Sequence, residues 1–286
     1  MLSSVCLRTI SGARSARREE PGGISARFAA HLVATHSNGI SALQLQAKLE
    51  IGSYKAAWLL LHKLRRPMVD PERDPLEGMI EVDETSIAYR TKDDPVAGGA
   101  GRSHDGKLLV VGAVECKDGG KPGRIRLAVI PDFSAKTLRG FVASATCNGA
   151  TILTDAFSSY QGMTGRTHLP KTVGVMAAHV LLPWIHRVFA NLKRLALGVY
   201  HGFRRAHLQA YLDEFVYRWN RRRHYRVAFD MLLGIGLRMA PVTYRTLTQV
   251  EATLGAVRPA NVVHRCHQEC WRPTRRSATC QDHRPS

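Results

Sequence analysis

The sequence is poor in acidic residues and contains no long apolar run. There are 23 Asp and Glu residues against 41 Lys and Arg residues in a chain of 286, which gives a formal net charge of +18 at pH 7. A positive charge of this size exceeds what solubility requires and indicates a polyanionic partner. No run of eighteen apolar residues is present, so we expect no membrane-spanning segment. Nucleic acid is therefore favoured over an anionic membrane surface as the partner.

Cysteine is scarce, and the first twenty residues lack the apolar stretch of a secretory signal. Two of the six cysteines, Cys116 and Cys147, lie inside or beside apolar runs, where a reduced thiol packs as a small hydrophobe. We therefore expect a reducing, cytosolic compartment. An Arg- and Ser-rich transit peptide is the alternative interpretation of the N-terminus.

The positive charge is concentrated between His186 and Arg226. This stretch contains two acidic residues, Asp213 and Glu214, against ten basic ones. The basic residues are Arg187, Lys193, Arg194, Arg204, Arg205, Arg218, Arg221, Arg222, Arg223 and Arg226. A patch of this kind suits a phosphate backbone, whereas an exposed, solvated helix face is the alternative. If the patch binds DNA, affinity will fall steeply with salt.

Two short helices joined by a glycine-containing turn are predicted in the N-terminal part. Ser41 can cap the first helix, and Gly52 with Ser53 forms the turn into a second helix, Tyr54–Leu64. The apolar face of the second helix consists of Ala57, Trp58, Leu61 and Leu64. Its polar residues, expected on the other face or at the helix ends, are Tyr54, Lys55, His62, Lys63 and Arg65. The pattern is typical of a helix-turn-helix, although any two-helix corner has the same appearance.

From about residue 78 the spacing of apolar residues changes from that of a helix to that of extended strands. The predicted strands are Gly78–Ile87, Lys107–Glu115, Arg124–Ile130 and Ala150–Asp155, and the first three form a meander. Ser134 caps a helix before the fourth strand, and two further helices are expected over residues 177–199, broken or begun near Pro183, and 204–223. We predict an α/β fold in which a ribonuclease H-like mixed sheet is flanked by helices and preceded by a small helix-turn-helix segment. Other α/β or α+β folds share this order of elements.

Two acidic residues occupy positions where apolar strands would otherwise continue. Asp83 lies in the middle of one strand and Asp155 ends another. A buried carboxylate costs several kcal/mol unless it is paired or binds a metal ion. Two such carboxylates on neighbouring strands provide the hard oxygen ligands of an Mg²⁺ site for phosphoryl transfer. For Asp155, an exposed strand end is the alternative.

An ordered series of short motifs resembles the bacterial insertion-sequence transposases of the DDE type, specifically the insertion-sequence-1595 group. The resemblance covers roughly residues 28–245. Its motifs are Val82-Asp83-Glu84-Thr85, Val111-Gly112-Ala113-Val114-Glu115, Thr154-Asp155 with Ser159-Tyr160, Leu182-Pro183-Trp184 with residues 186–194, residues 198–202, and residues 211–215 with 218–222. Residues 39–46 and 53–58 resemble the group's DNA-binding segment, which strengthens the helix-turn-helix interpretation.

The resemblance implies a ribonuclease H-like catalytic domain that binds two Mg²⁺ ions. Such an enzyme cleaves the ends of a DNA element hydrolytically and joins them to target DNA by transesterification. Asp83 and Asp155 match the first and second catalytic acids, and Lys193 is placed to hold a phosphate near the scissile bond. We expect DNA contacts from the second helix and the basic helices, at Tyr54, Lys55, Lys63, Arg194, Arg221, Arg222 and Arg223. The expected partners are double-stranded DNA, at inverted repeats and target, and further copies of the chain in a homo-oligomer.

The third metal-binding position is open between two residues. In relatives with a glutamate there, the glutamate precedes a lysine by seven residues, and counting back from Lys193 gives His186. Some members of the group have asparagine, for which Asn191 is the candidate. On a helix Asn191 points about 140° away from His186. Because His offers a softer nitrogen and Asn a neutral oxygen, weakened Mg²⁺ binding or a preference for Mn²⁺ is expected.

The expected domain organisation has four parts. Residues 1–25 form a loose or atypical arm, 26–70 the helix-turn-helix segment, 76–232 the catalytic domain with its basic helices, and 250–286 a basic unpacked tail. The group commonly begins with a cysteine-pair zinc ribbon, which we expect to be absent because Cys6 is the one cysteine before residue 100. In the tail Cys266, Cys270, Cys280 and His283, with His264 and His267 nearby, have spacings that a zinc ion can accept, without strand signals around them.

Two rival functions follow from these departures. A truncated or frame-shifted copy would bind DNA without transposition activity, either inert or as an inhibitor of the intact enzyme. A nuclease or resolvase on the same fold would differ in its substrate and share the metal chemistry.

Overall fold

A single mixed sheet organises the middle of the chain in the computed structural model, which describes residues 21–90, 106–117, 119–171 and 178–248. The strands are β1 Met79–Ala88, β2 Lys107–Lys117, β3 Lys121–Ile130, β4 Thr151–Thr154 and β5 Thr167–Pro170, in the order β3-β2-β1-β4-β5. Strands β1, β2 and β3 are antiparallel neighbours, and β4 and β5 add in parallel beyond β1. The fold is therefore the predicted α/β, ribonuclease H-like fold with a mixed sheet.

Helices come before the sheet in sequence, between its strands β3 and β4, and after its last strand. They are α1 Pro21–Thr35, α2 Ala42–Lys48, α3 Tyr54–Arg65, α4 Ala135–Ala145, α5 Ala178–Leu181, α6 Pro183–Gly198, α7 Leu208–Asn220, α8 Tyr225–Arg238 and α9 Tyr244–Thr248. Short 3₁₀ turns cover Arg66–Met68, Ser158–Tyr160 and Arg205–His207. Within the described ranges, none of the helices has the length and apolarity needed to cross a membrane.

The predicted caps of two helices are confirmed by their hydrogen bonds. The Ser41 hydroxyl accepts a bond from the Gln44 amide, and the Gln44 side chain accepts one from the Ser41 amide, which completes a capping box at α2. At α4 the Ser134 hydroxyl accepts a bond from the Thr137 amide. Pro183 opens α6 at the predicted break, in the first position that suits a residue without an N–H group.

Several elements differ from the prediction. Helix α1 begins at Pro21, inside the stretch expected to be a loose arm, and β3 begins at Lys121 before the Pro122-Gly123 pair. Proline is tolerated in β3 because this strand lies at the edge of the sheet. Strand β5 and helix α8 were not predicted. The rest of the arm (1–20), the tail (250–286) with its cysteine and histidine candidates, and residues 91–105 lie outside the described residues.

The sheet has an apolar core on each face. Helices α6 and α7 cover one face, where Val110, Leu127, Val188 and Phe215 belong to one buried cluster. Helix α4 covers the other face, with its Leu138 in a second cluster. The sheet separates these two cores.

The N-terminal helices share a third core with α7 and α8. Val33, Leu45 and Leu61 pack there with Tyr217 and Leu232. Ala57, Leu61 and Leu64 form the buried face of α3 as predicted, with Trp58 partly buried. The helix-turn-helix segment is thereby packed against the helices that follow the sheet.

Two polar residues in the last turn of α3, His62 and Arg65, are buried. Their place near the helix end agrees with the prediction, but their burial was not predicted. Arg65 is 2% exposed, and its Nε donates to Glu214 on α7 at 2.7 Å. His62 is 3% exposed and packs between the rings of Trp58 and His207. An ion pair compensates the burial of Arg65. The imidazole of His62 packs against rings, and its Nε2 has no hydrogen-bond partner among the described residues. The helical period alone cannot reveal either environment.

Candidate active site

Asp83 lies near the centre of β1 with 7% of its surface exposed. It stands opposite Gly112 of β2, and its Oδ1 accepts a hydrogen bond from the Glu84 amide at 2.8 Å. The carboxylate is therefore held in a fixed orientation by its own strand, inside the sheet.

Asp155 follows directly after β4, the parallel neighbour of β1. Glu81 pairs with Leu153, so the register continued by two residues brings Asp155 level with Asp83. The Asp155 Oδ1 accepts a bond from the Phe157 amide at 3.1 Å, and Ala156 between them has a φ of 68°. This left-handed conformation is uncommon for alanine and shapes a sharp turn at the strand end. Fold topology thus brings the two predicted acids to the same place.

His186 reaches Asp83 from the first turns of α6. Its Nε2 lies 3.6 Å from the Asp83 Oδ2, within ion-pairing distance when the imidazole is protonated. Lys193 is exposed two turns further along the same helix, and Asn191 is half-buried. Asn191 is five positions beyond His186 on the helix, which is about 140° around the axis. His186 is therefore the candidate for the third position that has a contact to Asp83, while the identity of the third ligand stays a prediction.

The electrostatics of the site centre on Asp83. Its pKa is raised to about 7, chiefly by burial and also by the nearby Glu84 and Asp155 carboxylates, against the opposing effect of the hydrogen bond from the Glu84 amide. The Lys193 ammonium lowers the pKa of Asp83. A cation beside Asp83 would stabilise its ionised form, because it would offset the cost of burial and the repulsion from Glu84 and Asp155.

Two more acids belong to the site and were missed from the sequence. Glu84 accepts a hydrogen bond from the Tyr160 hydroxyl at 2.6 Å, and its pKa is raised by burial. Glu81 is 3% exposed, and its Oε2 accepts bonds from the amides of Trp184 and Ile185. Since Glu81 and Asp83 are two residues apart on one strand, they face the same side of the sheet. That period was visible in the sequence and could have marked Glu81.

The donor set fits a divalent cation of the kind that the fold family implies. Asp83 and Asp155 offer hard carboxylate oxygens, and His186 offers an imidazole nitrogen. Among the described residues, no three His, Cys, Asp or Glu side chains converge as a complete metal cluster. Mg²⁺ sites for phosphate chemistry commonly use one or two carboxylates, with waters and substrate phosphates as the remaining ligands. A partial set of protein ligands is therefore sufficient for this chemistry.

The residues predicted to contact DNA divide into two groups. Tyr54, Lys55, Arg194 and Arg223 are exposed, while Lys63 is half-buried. Arg221 lies over the Tyr217 ring, with its guanidinium carbon 3.9 Å from the ring centre. Arg222 donates to the carbonyls of Pro122, Gly123 and Trp219. Arg221 and Arg222 thus have internal contacts in addition to any with a ligand. The exposed Lys55 also has one, since its Nζ lies 4.5 Å from the centre of the Tyr244 ring.

Comparison with known families gives one match. A family model described as ISXO2-like transposase domain matches residues 75–220, just over half of the chain. The matched range spans the whole sheet and helices α4 to α7, and it contains Asp83, Asp155, His186, Asn191 and Lys193. A search of curated proteins finds no match.

Proposed function

The chain belongs to the ISXO2-like transposase family, and from this premise we propose that it is a DNA transposase that cleaves element ends and transfers the strands into target DNA. The observation that carries the proposal is the contact of the His186 Nε2 with the Asp83 Oδ2, at 3.6 Å, on a central strand of the sheet. Asp155 follows the neighbouring strand β4, and its carboxylate raises the pKa of Asp83.

In the proposed site, Asp83 and Asp155 hold divalent metal ions, with His186 or Asn191 as the third protein ligand. Mg²⁺ is the expected ion, and Mn²⁺ is the alternative that a nitrogen ligand favours. A bound ion would polarise the scissile phosphate and activate the attacking water or 3′ hydroxyl.

The remaining residues act on the DNA. Lys193 is exposed on the helix that carries His186, and its charge reaches Asp83. It would hold a phosphate oxygen of the scissile strand as a point charge. We assign end recognition to α3, whose N-terminal Tyr54 and Lys55 are exposed. Further phosphate contacts are assigned to Lys63, Arg194, Arg221, Arg222 and Arg223.

Double-stranded DNA is the proposed partner, at inverted repeats and at the target. Cleaving two ends and joining them to one target requires paired active sites, so we propose a homo-oligomer assembled on DNA. The proposed location is the bacterial cytoplasm, at the nucleoid.

A second candidate is a DNA-binding protein without cleavage activity. It is favoured by one observation, the imidazole of His186 beside Asp83, at the position where the resemblance implies a glutamate in some relatives. A protonated His186 would pair with Asp83 and supply positive charge to the position that a cation would take.

DNA cleavage and joining test the proposal. The substrate carries the inverted repeats that flank the gene, and the wild type is compared with Asp83→Ala and with Asp132→Ala, which removes an exposed acid before α4. We expect the wild type and Asp132→Ala to cleave and join, and Asp83→Ala to bind DNA without either reaction. Joining by Asp83→Ala would refute the catalytic assignment. Binding without cleavage by all three proteins would select the second candidate.

A further inference from the structure

Helix α6 begins without a cap of its own. Its N-cap residue is Leu182, whose side chain makes no capping hydrogen bond, and Pro183 occupies the first helical position. The next two residues, Trp184 and Ile185, present the amides that a serine or aspartate at the N-cap would normally satisfy. The sequence of the helix therefore leaves its own start unsatisfied.

The missing cap comes from strand β1. The Glu81 Oε2 accepts hydrogen bonds from the Trp184 amide at 2.8 Å and from the Ile185 amide at 2.9 Å. Glu81 is 3% exposed, so water does not compete for these bonds. A carboxylate at this point also interacts favourably with the positive end of the helix dipole. Lys171 holds the preceding turn, since its Nζ donates to the Leu181 carbonyl at 3.0 Å.

The capped turn is adjacent to the site. His186 follows Ile185 directly, and Asp83 lies two residues beyond Glu81 on the same face of β1. Glu81 thus ties the strand of Asp83 to the helix of His186 and Lys193 through one oxygen atom. Any change in the seating of α6 alters the 3.6 Å separation of His186 and Asp83.

A close approach of α6 to the sheet supports this seating. Gly112 pairs with Asp83 across β1 and β2. A Cβ atom at Gly112 would lie 2.8 Å from the Ile185 Cδ1 and 2.9 Å from the Phe189 Cε1. The helix is therefore in direct contact with the sheet beside Asp83, at the position where the side chain is smallest.

We propose that Glu81 is a positioning residue of the transposase reaction, which caps α6 from strand β1 and thereby sets the geometry of His186 and Lys193 against Asp83. This inference rests on the proposed function. Glu81 acts through the helix and does not touch the reacting atoms. A merely stabilising role would affect folding alone, whereas a positioning role also affects the rate of chemistry in the folded protein.

Two substitutions separate the roles. Glu81→Gln keeps a side-chain oxygen that can accept both amides, whereas Glu81→Ala removes the acceptor. Glu115→Ala is the matched control, because Glu115 is also a buried acid, 4% exposed on neighbouring β2, but it binds Arg124 and the Glu77 amide instead of α6. Amide hydrogen exchange of the full chain and single-turnover cleavage of the inverted-repeat DNA are measured for each, at a temperature where melting curves show every variant folded.

We expect the amides of Trp184 and Ile185 to exchange at least about tenfold faster in Glu81→Ala than in the wild type or Glu115→Ala. Cleavage by Glu81→Ala falls by about 10- to 100-fold at unchanged DNA affinity, since a small misplacement of reacting groups is enough for such a loss. Glu81→Gln keeps amide protection and at least about a third of the wild-type rate, because it keeps the acceptor oxygen.

Unchanged exchange at residues 184 and 185 in Glu81→Ala would overturn the capping role. Faster exchange with wild-type cleavage, or an equal loss of cleavage in Glu115→Ala, would overturn the positioning role. A wild type that does not cleave would refute the proposed function and with it the positioning role, and this outcome differs from the others because it appears before any substitution.

Discussion

The His186 Nε2 lies 3.6 Å from the Asp83 Oδ2, and an imidazole nitrogen is a softer metal ligand than a carboxylate oxygen. Asn191, the other candidate for the third ligand, lies on a different side of α6. The two residues can therefore be distinguished by substitution.

We predict that His186→Ala lowers single-turnover cleavage by about 100-fold, while Asn191→Ala changes it by less than about threefold, because a misplaced or missing ligand has the larger effect. The wild type should cleave faster in Mn²⁺ than in Mg²⁺, since nitrogen is a softer ligand. Single-turnover cleavage by the wild type and both variants, measured over a range of Mg²⁺ and of Mn²⁺ concentrations, gives the effect of each substitution and of the metal. Equal rates in the two metals, or a larger loss from Asn191→Ala, would assign the position to the asparagine.

A second residue-scale prediction concerns His62, which is buried beside Arg65 and His207. Burial, with the charges of these two neighbours, lowers the pKa of His62 to about 2. The folded protein therefore keeps His62 neutral while the unfolded chain binds a proton below pH 6.5. This contribution to stability is complete above pH 6.5 and is lost as the pH falls below it.

His62→Phe should remove this dependence. We expect the wild type to lose up to about 1.4 kcal/mol of unfolding free energy per pH unit below pH 6.5 through this residue, and the variant to lose correspondingly less. Urea unfolding between pH 5 and 7.5 measures the difference. Parallel curves for the two proteins would show that His62 is protonated in the folded state.

At the scale of elements, the seating of α6 on the sheet depends on Gly112. We predict that Gly112→Ala lowers the unfolding free energy by about 1–3 kcal/mol and also slows cleavage, because the added methyl group meets Ile185 and Phe189. The control is Gly140→Ala on α4, where a Cβ meets nothing within 4 Å. This change should stabilise the helix by about 0.5–1 kcal/mol. A neutral Gly112→Ala would mean that α6 can shift without cost.

The elements that could be predicted from sequence are those with their own local signals. Strands β1 and β2 are apolar runs, and Ser41 and Ser134 are typical N-cap residues that mark where their helices begin. Strand β5 has no such signal, because its four residues include Pro170 and it forms by pairing with β4. The sequence predicts Asp83 and Asp155 as polar interruptions of apolar strands.

The capping role of Glu81 could not be predicted, because its partners lie more than a hundred residues away in the chain. The burial of Arg65 has the same explanation, since Glu214 satisfies it from α7. Both are acidic or basic side chains whose partner is supplied by tertiary structure alone.

At the scale of the whole molecule, the excess of positive charge divides into internal and outward parts. Arg65 and Arg218 pair with Glu214, and Arg222 binds backbone carbonyls. Lys55 and Arg194 are exposed and remain candidates for phosphate contacts. These contacts leave the formal net charge of +18 unchanged, because it already counts Glu214, but they hold the buried Arg65 away from any phosphate.

We predict that DNA affinity falls with salt at a log–log slope of about −0.9 for each phosphate neutralised. Replacing Lys55 and Arg194 together by Gln should make the slope shallower by about 1.8, because two such contacts are lost. Lys136→Gln, on the helix that covers the other face of the sheet, should leave the slope unchanged. Fluorescence anisotropy from 50 to 300 mM salt provides the data, and a slope that the double substitution leaves intact would remove these residues from the DNA interface.

The central claim is that Asp83 and Asp155 act together on the same metal ions, and single-turnover cleavage by Asp83→Asn, Asp155→Asn and the double variant tests it most directly. If the two carboxylates serve one metal site, the double variant cleaves at about the same rate as the slower of the two single variants. A loss in the double variant equal to the product of the two single losses would mean that the carboxylates act independently and would contradict the account.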